Sequence, residues 1–342
     1  MPKLVHAPCD PTLTARVVRR WPLYYCAGAD APLDRPEHVR AGSGLTRLDG
    51  RLALIQDDAN FVALFDPDGQ GVESILLPAG LDGRRQFDDR WGNKKSKLDL
   101  EACTTVTEGD SQVLIALGSG SSPAREYVLV IERPTSASPG IKLHHAPAFY
   151  AALRSHVDFA GSELNVEGAA FIGGDVVRLF QRGNGATHGD QFPVNATCDI
   201  SWQALRRHLD DAASAPPTPR SIVQYDLGLM DEVRLTFTDG AVRGGCIFFT
   251  ATAEASPDAV QDGPVMGSVL GEINAEGAPR YTVLQDQDGG RLRSKVEGLS
   301  LDEHDLRRAW VSIDPDDPCA ASEICELELG GDWSASKCSA SR

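Results

Sequence analysis

No stretch of this 342-residue chain is apolar over the roughly 18–20 residues that a membrane-spanning helix needs. The first 26 residues carry Arg16, Arg19 and Arg20 but no apolar run beside them, so no secretory leader is read there. Basic charge is scarce: 33 Lys and Arg stand against 49 Asp and Glu, a net charge of −16. That field repels phosphate backbones and anionic membrane surfaces, which argues against nucleic acid and membrane as partners. It suits a protein that holds cations, although ordinary acidic solubility covers most of it.

Paired cysteine motifs are missing as well. Eight cysteines are scattered (9, 26, 103, 198, 246, 319, 325 and 338) with no CxxC among them. Cys103, Cys198 and Cys246 lie in apolar, strand-like stretches and read as buried thiols. A reduced, cytoplasmic protein is the expectation, with a disulfide among Cys319, Cys325 and Cys338 left open. No Gly-x-Ser-x-Gly elbow and no Cys/His pair in a credible setting emerges. Gly118–Gly120 lacks the lysine of a phosphate-binding loop. Asp286-Gln287-Asp288 with Glu297 imitates a calcium loop of the EF-hand type, but Arg291 stands where that loop needs glycine and no helices flank it. His144, His145 and His188 could serve as catalytic bases, but a lone loop histidine is more often solvent-facing.

What the chain has is turns and a repeat. Its 33 glycines and 21 prolines are spread along the length, and 42% of residues are hydrophobic, as in a large core cut by tight turns. A short motif followed by a β-rich hairpin recurs five times. The motifs are Ser43-Gly44-Leu45-Thr46, Leu100-Glu101-Ala102-Cys103, Val166-Glu167-Gly168-Ala169, the looser Phe237-Thr238-Asp239-Gly240, and Val296-Glu297-Gly298-Leu299. Equivalent positions 43, 101, 167, 238 and 297 are 58, 66, 71 and 59 residues apart, somewhat more than one four-stranded blade. Further hairpins turn at Asp68-Gly69 and at Glu276-Gly277.

The expectation is an all-β chain, a single β-propeller over residues 1–342 with blades starting near 43, 100, 166, 237 and 296. Five blades are expected, with room for a sixth only in the less patterned first 40 residues. The strand at 15–23 completes the last blade and closes the ring. Residues 145–157 and 200–213 read as short helical insertions, and 212–219 as a loop.

In such a ring the first strand of each blade lines the central channel. Ser43, Glu101, Glu167, Thr238 (or Asp239) and Glu297 therefore point at one axial volume. Three carboxylates there repel each other unless one stays protonated or a cation joins them. Oxygen donors without His or Cys argue for a hard ion, and irregular geometry favours calcium over magnesium. Ala102, Gly168 and Gly298 leave room for close backbone approach. The alternative is pairing of each glutamate with a base such as Lys97, Lys295 or Arg182. Polar ends of the second strands, among them Asp57, Asp58, Ser119, Ser121, Arg182, Asn184, Glu254, Asp314 and Asp317, would rim one mouth, joined by Lys95 and Arg125.

The motifs at 43–45, 100–102, 118–123, 166–169, 181–185 and 296–299 together resemble an uncharacterised bacterial propeller family. The order Ser, Glu, Glu, hydroxyl, Glu is similar to that of the calcium-activated nucleotidases (apyrases), five-bladed propellers with one axial calcium. That likeness implies Ser43, Glu101, Glu167, Thr238 and Glu297 as ligands. The Glu-Gly signature is also similar to phytase-like and lactonase-like propellers. The nucleotide-contacting segments of the apyrases are not recognisable in this chain.

Two functions are weighed on this basis. One is a calcium-dependent hydrolase of a small anionic ester, a phosphoester ahead of a lactone. There Asp57, Asp58 or Asp314 serves as base, and Arg125 and Arg182 hold the anion. The other is a non-catalytic binding propeller in which calcium only fastens the blades, and beside these two stands a metal-free scaffold with the carboxylates neutralised by lysines.

Overall fold

A computed structural model describes residues 3–80, 82–256 and 263–334. After β1 (Lys3–His6) and β2 (Thr14–Pro22), the chain lays down antiparallel four-stranded units one after another. The first is β3 (Gly42–Leu48), β4 (Arg51–Gln56), β5 (Phe61–Phe65) and β6 (Glu73–Leu76). The second is β7 (Leu100–Glu108), β8 (Ser111–Gly118), β9 (Tyr127–Glu132) and β10 (Gly140–His145). The third is β11 (Val166–Gly173), β12 (Val176–Gln181), β13 (Asn195–Ser201) and β14 (Arg220–Asp226). A two-residue strand, β15 (Leu229–Met230), precedes the fourth: β16 (Val233–Arg243), β17 (Cys246–Glu254), β18 (Val265–Ile273) and β19 (Pro279–Gln285). The fifth has β20 (Lys295–Leu301), β21 (Arg308–Asp314) and β22 (Glu323–Gly330), and β2 supplies its fourth strand.

The five first strands stand side by side in a closed ring, β3 to β7 to β11 to β16 to β20 and back to β3. This is a five-bladed β-propeller closed by its N-terminal strand. Among the described residues, those before 40 form no sixth blade.

Alternation along the strands builds the core. In β4, Leu52 and Leu54 face the fifth blade while Ala53 and Ile55 face the second. Each of the five blade interfaces is filled by its own cluster of buried apolar residues. A blade is therefore apolar on both faces, which is why strands such as β17 are buried throughout.

The N-terminal segment does more than the repeat suggested. β1 pairs in parallel with β14 as a fifth strand of the third blade, Cys9 and Asp10 reach Tyr281 on β19, and β2 enters the fifth blade. β19 also pairs with β2 at Leu284 and Gln285, so blades four and five share one continuous sheet. One segment thus straps three blades.

The helical insertions are α1 (Pro147–Ser155), α2 (Val157–Ala160) and α3 (Trp202–Asp210). α1 and α3 turn Phe149, Leu153, Trp202 and Leu205 into the core between blades two and three. Cys103, Cys198 and Cys246 are buried as expected, Cys103, Cys198, Cys319 and Cys325 form no disulfide, and Cys338 lies outside the described residues.

Candidate axial site

Each inner strand slips against its second strand at one equivalent place. The shifts fall between Gly42 and Leu45, Leu100 and Ala102, Val166 and Gly168, Phe237 and Asp239, and Val296 and Gly298. The residues left out of the ladder are Ser43 with Gly44, then Glu101, Glu167, Thr238 and Glu297. A bulge frees a side chain from the sheet and re-aims it. Four of these five, Ser43, Glu101, Glu167 and Glu297, line a single cavity of about 710 Å³.

Glycines at three of the bulges let neighbouring blades touch. A Cβ on Gly298 would sit 2.5 Å from the Ser43 carbonyl, one on Gly44 2.8 Å from the Glu101 carbonyl, and one on Gly168 2.9 Å from the Asp239 Cα.

Thr238 takes a different course from its equivalents. It is fully buried, donates to the Thr250 hydroxyl at 3.0 Å and does not line the cavity. Its neighbour Asp239 is occupied with backbone: it accepts from the amides of Gly240 at 2.7 Å, Leu299 at 2.8 Å and Leu45 at 3.4 Å. Asp239 thereby ties the fourth blade to the fifth and first and does not line the cavity.

The carboxylates that come closest together are not the three glutamates. Oxygens of Asp57, Asp99 and Glu101 lie within 4.8 Å of one another, and among the described residues this is the group of three or more compact enough to surround a metal ion. Ser43 donates to Glu101 at 2.5 Å. Lys97 reaches both oxygens of Asp57 at 2.6 Å and Asp99 at 2.8 Å. Asp99 also accepts from Ser119 and meets Arg125 at 3.1 Å, and Arg125 donates to Ser121 at 2.9 Å.

Glu167 and Glu297 keep other company. Glu167 accepts from Asn165 at 2.7 Å and lies 3.4 Å from Arg182, whose other bonds go to Glu254 and Thr236. Glu297 meets Lys295 at 3.1 Å, while its Oε2 is buried with no hydrogen-bond partner among the described residues. Asp58 is gripped by the buried Arg40 at 2.8 and 2.6 Å. Asp57, Asp58, Arg125, Arg182 and Asp314 all line the cavity, as do Asn184, Glu254 and Asp317. Arg125 and Arg182, expected to hold an anion, are already committed to carboxylates.

Among the described residues the wall carries twelve acids and eight bases. Burial leads the shift in each carboxyl that is raised. It pushes Glu167 up to about 8, against the pull of Arg182 and with Glu297 adding to the rise. It takes Asp57 to about 7 against the pull of Lys97, and raises Glu101 and Asp314 well above the carboxylate range and Glu297 above it. Asp99 goes the other way: despite burial, Lys97 and Arg125 hold it down to about 2.

Two wall residues, Asp99 and Asn165, had a signal in the sequence that strand periodicity could have caught. Each stands two residues before an inner-strand glutamate, the spacing at which the already noted Lys295 precedes Glu297. Arg40 and the segment carrying Asp88, Arg90, Lys94 and Lys95 come from long connections with no repeat signal. Arg40 pins that segment through the Phe87 carbonyl at 3.0 Å and Asp88 at 3.5 Å.

The model of one protein family matches residues 38–329, nearly the whole ring. The chain belongs to the family of unknown function DUF6929. No protein of curated function matches this DUF6929 chain. Solved structures with a similar outline include the PQQ-bound aldose sugar dehydrogenase of Streptomyces coelicolor, 12% identical with a TM-score of 0.42 over 94% of this chain and 100% of that one. Regucalcin, a calcium-binding protein of Agrobacterium tumefaciens, is 10% identical with a TM-score of 0.39 over 97% of both chains. A streptogramin B lyase is 10% identical with a TM-score of 0.39 over 93% of this chain and 98% of that one. At these scores nothing about ligand or reaction carries over to DUF6929. The matches lend nothing to a likeness with the apyrases.

Proposed function

We propose that the axial cavity binds a divalent cation, calcium by the chemistry of its donors, and that this centre serves a small anionic molecule. The observation that carries the reading is a surplus of buried carboxylate. Acids outnumber bases on the wall, three carboxylates converge within 4.8 Å, and Glu297 has an oxygen without a partner. All of these are hard oxygen donors, and among the described residues no His or Cys lines the cavity, which fits calcium and disfavours zinc or a redox metal. Asp57, Asp99 and Glu101 would hold the ion.

A cavity of this volume suits a small molecule. Arg90, Lys94 and Lys95, exposed on its wall, are placed to meet a negative group, since Arg125 and Arg182 are engaged deeper in. A bound calcium would supply the positive centre that polarises an ester oxygen. The reaction in keeping with this arrangement is hydrolysis of an anionic ester, a phosphoester ahead of a lactone, with Asp314, outside the ligand group, taking a proton from water.

A second reading has its own support. Lys97, Arg182 and Lys295 each sit on a cavity carboxylate, as in a metal-free scaffold closed by ion pairs. Calorimetric titration with calcium after chelation, beside a panel of phosphoesters, nucleotides and lactones, separates the two. The calcium reading expects a binding heat, a rise in melting temperature, and loss of both in Glu101→Gln. No heat and a chelator-insensitive melt would leave the scaffold.

A further inference from the structure

Lys97 is the least expected member of the carboxylate group. It is only 6% exposed, and its ammonium is held by three carboxylate oxygens at 2.6, 2.6 and 2.8 Å. The lysine comes from the connection between β6 and β7, whereas Asp57 follows β4, so the contact joins two blades. Asp99 is rigidly presented. Its backbone is left-handed (φ 56°), its carbonyl accepts from the Ser119 amide at 3.0 Å, and Leu98 and Leu100 on either side are buried. A non-glycine residue keeps that conformation only where its surroundings insist on it. Lysine, by contrast, carries its charge on a flexible four-carbon stem that can swing away.

The same oxygens that hold this ammonium are those a hard cation would use. The cavity is also short of a cation with its lysines and arginines seated, because the buried Oε2 of Glu297 still finds no donor among the described residues. We infer that Lys97 is a tethered cation standing in the metal position, which must withdraw before Asp57, Asp99 and Glu101 can together hold a divalent ion. The inference rests on the reading that the cavity takes such an ion, and it assigns the lysine a role in tuning that binding. Calcium brings two charges in exchange for one. Sodium or potassium brings no more charge than the ammonium it displaces, and the tether keeps that ammonium at high effective concentration. Lys97 therefore weakens calcium binding and excludes monovalent ions.

The test is calcium titration of chelator-stripped full-length protein, comparing wild type with Lys97→Met, which keeps the stem, and Lys97→Arg, which keeps the charge. Lys97→Met is expected to bind calcium at least about 10-fold tighter and to gain a melting response to sodium or potassium, with Lys97→Arg no tighter than wild type. Calcium binding by Lys97→Met alone would uphold the tethered cation while overturning calcium binding by the native protein. Binding by wild type with no gain in Lys97→Met would overturn the inference and leave the calcium reading standing; binding by neither would overturn both. Should Lys97→Met fail to fold, amine acylation of the native protein read by mass spectrometry decides. Calcium should expose Lys97 to the reagent, and labelling unchanged by bound calcium would sink the inference.

Discussion

Raising the pH from 5 to 7 in the presence of chelator should destabilise this protein, and the cavity sets the size of the effect. A carboxyl whose folded pKa lies above its unfolded value binds a proton in the native state that the unfolded chain has lost. Its contribution is fully present below the unfolded pKa and disappears as pH rises through the folded one. Glu167, raised to about 8 chiefly by burial, spans the whole interval. Asp57, raised to about 7, covers most of it. Each such proton lowers the unfolding free energy by about 1.4 kcal/mol per pH unit. Counting one proton for the cavity, because its bases neutralise much of the rest, the loss over two units is about 2.7 kcal/mol. For a chain of this size that is a fall of roughly 4 °C in melting temperature. Asp99 has the opposite sign: held down to about 2, it adds stability above the ordinary carboxylate range that is lost as pH falls through about 4 towards 2. Stability should therefore peak at about pH 4 to 5. Differential scanning calorimetry from pH 3 to 8, with wild type and Glu167→Gln, measures both limbs. The glutamine variant should have a shallower slope above pH 5, and added calcium should flatten the wild-type slope. A melting temperature that is level or rising between pH 5 and 7 in chelator would refute the reasoning, since the acids would then be ionised throughout.

Two further outcomes follow from the ring itself. Gly298→Ala drives a Cβ to within 2.5 Å of the Ser43 carbonyl and 2.6 Å of the Leu45 Cβ, so it should lower stability by about 3 kcal/mol or more in urea unfolding; a neutral effect would mean that the inner strands part freely. Removing residues 1–22 takes away the fourth strand of blade five and the buried Ala15 and Val17, leaving β22 as an open edge. The truncated chain should aggregate, and a monodisperse folded monomer in light scattering would contradict the closure.

Much of the architecture was legible because it is local and repeated. The positions 43, 101, 167, 238 and 297, aligned from short motifs alone, are the five residues at which the inner strands bulge. The need for a small residue after the bulge was legible too, since backbone crowding near an axis depends little on side chains elsewhere. The parallel addition of β1 to β14 left no signal, because four residues at an outer edge repeat nothing. Thr238 shows the limit of the alignment: it holds the right place in the ring, yet the hydroxyl of Thr250 across the hairpin takes its bond.

Alternating apolar residues, turn spacing and the recurrent acid before a small residue were enough to specify a ring of blades and to send carboxylates to its axis. Which cation each acid meets was settled only by tertiary structure. Lys97 crosses from one blade to Asp57 on another, and Arg182 crosses to Glu254, 72 residues along the chain. Such pairings depend on how separately formed sheets pack side by side. Their charges interact through a dry cavity whose low polarisability magnifies every mismatch, and no spacing within one blade records that lateral fit.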